Sequence, residues 1–390
     1  MATALRTMKL SMLSASNALG LFRVLRNSRW RSAQLLILCY HGISIDDEHE
    51  WAPGLYMTAD MFAARLELLR RRHCTVLPLD QAVRRLYDGT LPPRSVVITF
   101  DDGNADFHAR AWPVLKAFEH PATVYLTTYY SEVNVPVFPV AVSYVLWKGR
   151  GVERPLLTPT GRPIAIDTTS ASARRRTQRE LLLHAQDEHM SAGDKDRLVE
   201  RLAASLSVDY GAIKRKRLLH VMNADEVREV AAAGIDVQLH SHRHRSPPTR
   251  EPYRDEIAQN RDRIVSLTGT RPRHFCYPSG VWQPAFAQWL EEEGVCSATT
   301  TEPGIASPRS DRYRLPRLLD HSELTPIEFD AWLTGLGALL PHRALGSHSV
   351  DQKGRLAVSA VGPPPRAIDA WRPGLGSEIQ GVGHTAESGE

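Results

Sequence analysis

The chain has 390 residues, of which 42% are hydrophobic and 24% are charged, and its formal net charge is +4. This composition is that of a globular protein with one large domain or two ordinary ones. The mild charge, without a clustered basic face, argues against nucleic acid as a partner, although it is compatible with weak attraction to anionic surfaces or polymers.

The first 34 residues contain a short apolar run, Leu10 to Phe22, that is diluted by polar residues and is followed by Arg23, Arg26, Arg29 and Arg31. A secretory signal would end in a small-residue cleavage site, and this run is too short and polar to span a bilayer. We therefore predict an amphipathic segment over residues 1–34 that lies on the protein or makes peripheral contact with a membrane. A cryptic signal or anchor is the alternative.

From residue 34 onward, β-prone runs alternate with helical patterns, which predicts a mainly parallel sheet. Strands are expected at 34–44, 74–79, 95–100, 122–128, 235–240, 274–280, 296–301 and 313–320. Helices are expected at 58–73, 79–89, 108–120, 223–234, 250–269 and 284–294. The helix at 223–234 has the clearest ends, because Asn223 and Glu226 form a capping signal and Gly234 terminates it.

Two stretches depart from this alternation. Residues 140–218, approximately, contain charged helical patterns at 172–190 and 194–206, and we predict a helical insertion of the kind that shapes a binding cleft. Residues 344–390 are rich in Gly, Pro and Ser, and we predict a disordered tail. One main domain is then expected to cover residues 35–343.

No C-x-x-C pair occurs among the four cysteines, and we expect free thiols at Cys39, Cys74, Cys276 and Cys296. Free thiols weakly favour a reducing compartment. With no clean signal peptide, the favoured location is cytoplasmic or peripheral at the inner membrane, and export is left open.

Polar motifs follow three of the predicted strands: TFDDG (99–103), HSHRH (240–244) and FCYPSG (275–280). The C-terminal ends of strands in a parallel barrel meet at one rim. One Asp with two His four residues apart suits Zn²⁺ or a similar divalent ion and leaves an open position, while a second Asp suits a general base. Adjacent carboxylates also repel each other, which a cation would relieve.

Together with CYHGI (39–43), these motifs resemble the polysaccharide deacetylase family, the NodB-homology carbohydrate esterases of family 4. The resemblance covers roughly residues 36–340, and FCYPSG is more similar to the bacterial exopolysaccharide branch. It implies a distorted (β/α) barrel, often of seven strands. It also implies a hydrolase of non-peptide carbon–nitrogen bonds that removes N-acetyl groups from a bacterial glycan, with Zn²⁺ as the first choice of metal and Co²⁺ or Ni²⁺ as alternatives.

Carried over by motif, the resemblance implies that Asp101 is the general base and that the metal ligands are Asp102, His240 and His244. Water activated by the metal would attack the acetyl carbonyl. A backbone N–H of Ser279 would help to hold the oxyanion. The remaining loop residues are expected to support their neighbours: His242 as a loop or orienting residue and Ser241 through local hydrogen bonds.

The chain departs from the family pattern in three ways. Cys276 stands where an arginine usually tethers the catalytic Asp, the Asp-Trp motif is not evident, and the late general-acid histidine has no clear match. His321 is the candidate acid, Tyr277 and Arg317 are candidate polar contacts, and His41 is a candidate cleft residue. Two other readings therefore stay open: a non-catalytic carbohydrate-binding barrel, and a hydrolase of a small amide or O-acetyl ester.

Overall fold

A closed barrel of seven parallel strands, wrapped by helices, forms the centre of the protein. The structure is a computed structural model that describes residues 2–340, with side chains from residue 5 onward. The predicted (β/α) barrel is confirmed, whereas the predicted tail at 344–390 lies outside the described residues. Over the described range, no helix is both long and apolar enough to cross a membrane.

The strands are β1 (Leu36–Tyr40), β2 (Gly42–Ile43), β3 (Tyr56–Met57), β4 (Thr75–Val76), β5 (Ser95–Phe100), β6 (Thr123–Leu126), β7 (Glu153–Leu157), β8 (Pro163–Asp167), β9 (Asp236–Leu239), β10 (His274–Cys276), β11 (Ser297–Pro303) and β12 (Leu315–Leu319). The barrel runs β1, β5, β6, β9, β10, β11, β12 and back to β1. β4 pairs with the first residues of β5, β2 pairs with β3, and β7 and β8 form an antiparallel hairpin.

The helices are α1 (Ala2–Ala18), α2 (Leu21–Arg26), α3 (Arg29–Ser32), α4 (Glu48–Trp51), α5 (Ala59–Arg71), α6 (Leu79–Tyr87), α7 (Trp112–Ala117), α8 (Tyr129–Val133), α9 (Phe138–Lys148), α10 (Ala171–Asp187), α11 (Ala192–Ser205), α12 (Tyr210–Arg215), α13 (Ala224–Ala232), α14 (Arg250–Thr268), α15 (Pro284–Glu292) and α16 (Pro326–Thr334). A π-helix at Phe107–Ala111 precedes α7, and 3₁₀ turns occupy Pro278–Gly280 and Leu336–Leu339. The predicted capping box of α13 is present.

Alternation along the strands separates two packed layers, because successive side chains of a strand point to opposite faces. In β5, Val97 belongs to the cluster inside the barrel, whereas Val96 and Ile98 pack in the layer under the helices. Towards the C-terminal ends the buried interior positions become polar: Cys39, Thr99, Asp101, His240, Cys276 and Arg317. The site therefore lies at the C-terminal rim of the barrel.

Residues 138–215 build a separate small core between β6 and β9. The two predicted helices are present as α10 and α11, but the segment is not wholly helical. Its β7–β8 hairpin buries one face through three aliphatic side chains, those of Leu156, Ile164 and Ile166. The remaining hairpin positions are mostly exposed, so the hairpin covers the helices from one side.

After the insertion, the chain contacts the loop that follows β5. The Ala105 N–H donates to the His220 carbonyl oxygen at 2.8 Å, and the Met222 N–H donates to the Gly103 carbonyl oxygen at 2.9 Å. The segment that follows the insertion is thus joined by backbone hydrogen bonds to the loop that carries the TFDDG acids.

The N-terminal segment forms three helices, and it is docked on the barrel. Leu13 of α1 and Phe22 of α2 are buried in a cluster with Ala331 of α16. Arg26 forms a buried ion pair with Asp330, also on α16, at 2.8 Å. One side of this segment is therefore part of the packed structure.

Candidate metal and catalytic site

A sharp turn at the end of β5 separates the two acids of TFDDG. Asp102 and Gly103 both have positive φ, 69° and 75°. At Gly103, an added Cβ would lie 2.4 Å from the Leu126 side chain, so only glycine fits both the conformation and the space. The turn sends Asp101 into the barrel and leaves the Asp102 side chain 30% exposed.

Arg317 holds Asp101 in a bidentate ion pair, which is the principal contact that the motifs did not predict. Its Nη1 and Nη2 lie 2.7 Å from Asp101 Oδ1 and Oδ2. The other three N–H groups donate to the Thr300 carbonyl, to Thr99 Oγ1 and to Cys276 Sγ. All five guanidinium donors are thus satisfied, and Arg317 is 1% exposed.

This geometry corrects the prediction that Arg317 contacts substrate, because the side chain is buried and fully used. It also corrects the inference that the arginine tether is missing. The tether comes from β12, and Cys276 places its sulfur 3.1 Å from Arg317 Nη2. Burial raises the pKa of Asp101, but the Arg317 charge and hydrogen bonds outweigh it and hold that pKa well below its usual range.

All four cysteines are free thiols, as predicted, and two of them flank Asp101. The sulfur atoms of Cys39 and Cys276 both lie 3.5 Å from Asp101 Oδ2. Burial raises the pKa of both thiols well above its usual value, so they stay protonated and act as weak donors to the carboxylate.

The structure brings Asp102, His240 and His244 together. Asp102 Oδ1 lies 3.2 Å from Nε2 of His240 and 3.2 Å from Nε2 of His244. The three ligand atoms lie within 4.8 Å of one another. His240 is buried and His244 is 31% exposed on its side chain, so the group is open to solvent on one side.

The donor chemistry of this group fits a cation. His240 Nδ1 lies 2.9 Å from the Cys276 carbonyl oxygen, which can only accept, so Nδ1 carries the proton. A neutral His240 then presents an unprotonated Nε2 to the Asp102 carboxylate, and two acceptors would face each other. A metal ion between them, or a proton on Nε2, removes that conflict, and the Nδ1 hydrogen bond is the arrangement that orients metal-binding histidines.

Two other groups of close ligand atoms contain Asp101: one with Cys39 and His41, the other with His240 and Cys276. They suit a metal less well, because both oxygens of Asp101 already accept from Arg317. Arg317 also relieves the repulsion between the adjacent acids. The case for a metal therefore rests on the Asp102 group and not on that repulsion.

Helix α14 supports the histidine loop through contacts that the sequence analysis missed. Asn260 Oδ1 accepts from the His240 N–H at 2.9 Å, and Glu256 Oε2 accepts from the Arg243 N–H at 2.7 Å. His242 turns to Thr128, with Nδ1 2.8 Å from its Oγ1. The sequence signal that was overlooked is the four-residue spacing of Glu256 and Asn260, which puts both side chains on one helix face.

Ser279 lies in the turn that follows β10, whereas Tyr277 does not face the site. Ser279 is exposed and has φ 55° in this turn. Tyr277 is buried, its hydroxyl donates to the Tyr313 carbonyl, and its N–H donates to Thr299. The prediction of Tyr277 as a substrate contact is wrong, because strand alternation points Cys276 inward and Tyr277 outward.

The structure distinguishes the two candidate histidines, His41 and His321, by their positions relative to Asp101. His41 Nε2 lies 3.9 Å from Asp101 Oδ2, and its side chain is 17% exposed. His321 Nδ1 accepts from the Glu323 N–H within its own loop, and in the described part of the chain no hydrogen bond or ion pair joins it to Asp101 or Asp102. The prediction of His321 as the acid therefore has no support from the geometry, and His41 is the histidine that lies beside Asp101.

Comparison with known proteins finds similarity to polysaccharide deacetylases. The family model described as polysaccharide deacetylase matches residues 88–152 and 204–297, which include Asp101, Asp102, His240 and His244. The chain is also similar to poly-β-1,6-N-acetyl-D-glucosamine N-deacetylases of Escherichia coli (30% identity over 102 residues) and Staphylococcus epidermidis (33% over 72 residues). These matches span 25% and 18% of this chain, and only 15% and 25% of the relatives.

The fold is similar to that of a solved deacetylase, PplD of Streptococcus pyogenes in complex with acetate. The TM-score is 0.52 at 18% identity, over 77% of this chain and 98% of the other. The barrel, the matched segments and the site at the rim lead to one assignment: the chain belongs to the polysaccharide deacetylase family.

Proposed function

We propose that the protein is a metal-dependent deacetylase that removes N-acetyl groups from an N-acetylated sugar of a bacterial polysaccharide. The observation that carries the proposal is the pairing of an oriented, ionised carboxylate, Asp101, with the Asp102, His240 and His244 group beside it. The named relatives suggest β-1,6-linked N-acetylglucosamine oligomers as the first substrate to test.

Asp102, His240 and His244 would hold the metal, and Zn²⁺ is the first choice for an Asp-His-His set. When bound, such an ion polarises a carbonyl oxygen and lowers the pKa of water. Asp101 accepts the proton of the attacking water, whose oxygen bonds to the acetyl carbon. The Ser279 N–H is the proposed donor to the carbonyl oxygen as negative charge develops on it.

Cleavage of the C–N bond requires a proton on the leaving nitrogen, and we assign its delivery to His41. Burial lowers the pKa of His41, and the charges of Asp101 and Asp102 only partly oppose this, so its resting imidazole is neutral near pH 7. It can therefore take the proton from Asp101 and pass it to the amine, which leaves acetate and a free amino sugar. The 3.9 Å gap exceeds a hydrogen bond, but such contacts commonly shorten when substrate binds.

The non-catalytic reading loses its main motive, because an arginine tether for Asp101 is present on β12. Hydrolysis of a small amide or O-acetyl ester stays an alternative, since the same groups would serve it. Acetate release from N-acetylglucosamine oligomers, compared with release from acetylated model esters, distinguishes the two. No acetate from any glycan by metal-loaded protein would contradict the proposal.

Metal content is expected to depend on the rim ligands. Wild-type protein should bind about one Zn²⁺, Co²⁺ or Ni²⁺ per chain after reloading, and Asp102→Ala combined with His240→Ala should bind none. Elemental analysis of dialysed protein measures this. His242→Gln is the matched control from the same loop and should keep its metal, because His242 bonds to Thr128. Equal metal in the ligand variant would place the ion elsewhere.

Replacing His41 by glutamine is expected to lower kcat by about 10²-fold with metal content unchanged, because protonation of the leaving nitrogen is lost. His321→Gln serves as the control and should leave kcat near that of the wild type. Both are measured as acetate release under saturating oligomer. The reverse result, a large loss for His321→Gln and none for His41→Gln, would return the acid role to His321.

A further inference from the structure

An apolar face of the N-terminal helices is left uncovered. Of the twelve large hydrophobic side chains that are exposed in the described part of the chain, seven lie between Leu5 and Trp30. The most exposed are Leu19, Val24, Met8, Leu5 and Met12, with 54% to 86% of their surface accessible. Such a concentration within one short segment is typical of a surface that contacts another phase or molecule.

The exposed side chains of α1 lie on one face of that helix. Leu5, Met8 and Met12 follow a helical spacing of three and four residues, whereas Leu13 is buried against α16. α2 also packs on α16 through Phe22 while Val24 is left exposed. The two helices thus form one layer on the side of the barrel. One face of this layer packs on α16, and another face is exposed to solvent.

The charged residues within this layer are all basic. Residues 1–45 contain six basic residues and no acidic one, and the first acid is Asp46. Arg26 is paired with α16, but Arg23 and Arg29 are exposed and have no ion-pair partner among residues 2–340. An apolar face bordered by unpaired arginines complements a surface that offers both acyl chains and anionic groups.

We propose that the α1–α2 layer binds an anionic lipid bilayer peripherally. Its apolar side chains would enter the headgroup region, while Arg23 and Arg29 contact lipid phosphates. Arg6 Nη2 donates to the Glu323 carbonyl at 2.9 Å, so α1 starts beside the loop that follows β12 at the C-terminal rim. The bound layer would therefore hold the candidate site near the membrane, and this inference does not depend on the proposed chemistry.

Vesicle flotation tests the proposal with the full chain. Wild-type protein should float with vesicles of phosphatidylcholine and phosphatidylglycerol, and much less with phosphatidylcholine alone. Combining Arg23→Glu with Arg29→Glu should weaken the apparent affinity by about 30-fold or more, since each lost basic residue removes one attraction. Combining Met8→Glu with Met12→Glu should weaken it by about tenfold or more.

Leu157→Glu with Leu183→Glu provides the matched control, because these side chains are similarly exposed but lie in the insertion. That variant should float like the wild type, and circular dichroism should show that every variant is folded. No flotation of the wild type, or equal loss in the control, overturns the proposal. The wild type could instead self-associate without binding vesicles, and Met8→Glu combined with Met12→Glu could abolish that self-association. This result would assign the apolar face to contact with a second copy of the chain and would also overturn the proposal.

Discussion

Replacing Asp101 by asparagine is expected to lower kcat for acetate release by about 10²- to 10⁴-fold, which is the range for loss of a general base. Asparagine keeps the shape of the side chain but cannot take a proton from water at neutral pH. The metal content should equal that of the wild type, because His240 and His244 each lie 3.2 Å from Asp102, whereas both oxygens of Asp101 accept from Arg317. Elemental analysis and single-turnover acetate release on the same preparation measure the two quantities.

Asp101→Asn also leaves Arg317 without its counter-charge, so part of any activity loss could come from unfolding. The assay is therefore run below the onset of thermal unfolding for this variant. Asp320→Asn is the matched control, because Asp320 is equally buried and paired with Arg65 at 3.0 Å, away from the ligand group. It should lose stability but retain most of kcat. A kcat of Asp101→Asn within a few-fold of the wild-type kcat would mean that Asp101 stabilises the structure and does not act as the base.

The grouping of Asp102, His240 and His244 was predictable because each motif is continuous in the sequence. TFDDG places two acids at the end of β5, and the four-residue spacing of His240 and His244 follows β9. The meeting of these two loops follows from parallel strands in one barrel. Local sequence and a single topological rule were sufficient for the Asp102 group.

Contacts between strands that are distant in the sequence, and meet where the barrel closes, were not predictable from continuous motifs. Arg317 and Asp101 are 216 residues apart, and they approach because β12 and β5 both pair with β1. The inward direction of Cys276 and the outward direction of Tyr277 depend on the register of a three-residue strand, β10. One residue of register decides which side chain faces the site.

The insertion shows the limit of periodicity as a guide. The β7–β8 hairpin contains two prolines, Pro155 and Pro163, and its exposed positions outnumber the buried ones. A pattern dominated by polar and proline residues gives a weak strand signal. Helices α10 and α11, whose apolar positions repeat at helical spacing, gave a signal that the sequence analysis could use.

Removal of Arg317 is expected to be the most destabilising of these single changes. Arg317→Met should lower the free energy of unfolding by about 3–5 kcal/mol, because Asp101 would stay buried, at 2% exposed, without a counter-charge. Urea unfolding at pH 7 measures this. Arg314→Met is the matched control from the same segment: Arg314 pairs with Glu302 in a half-exposed position, and its loss should cost about 1 kcal/mol or less.

The double variant separates a pair effect from a packing effect. Arg317→Met combined with Asp101→Asn removes both charges, so it should be more stable than Arg317→Met alone. If the double variant loses the sum of the two single losses, the side chains contribute independently and the bidentate pair has no special role. A loss smaller than the sum identifies the pair as one unit.

Arg317→Met should also change the pH dependence of catalysis. Burial by itself raises the pKa of Asp101, and Arg317 reverses that effect in the wild type. Without Arg317 the pKa of Asp101 rises above its usual value, so the base becomes protonated at a higher pH. The acidic limb of kcat/KM should then move upward by about one to three pH units, while Arg314→Met leaves it in place. An acidic limb that does not move in Arg317→Met would show that a group other than Asp101 sets it.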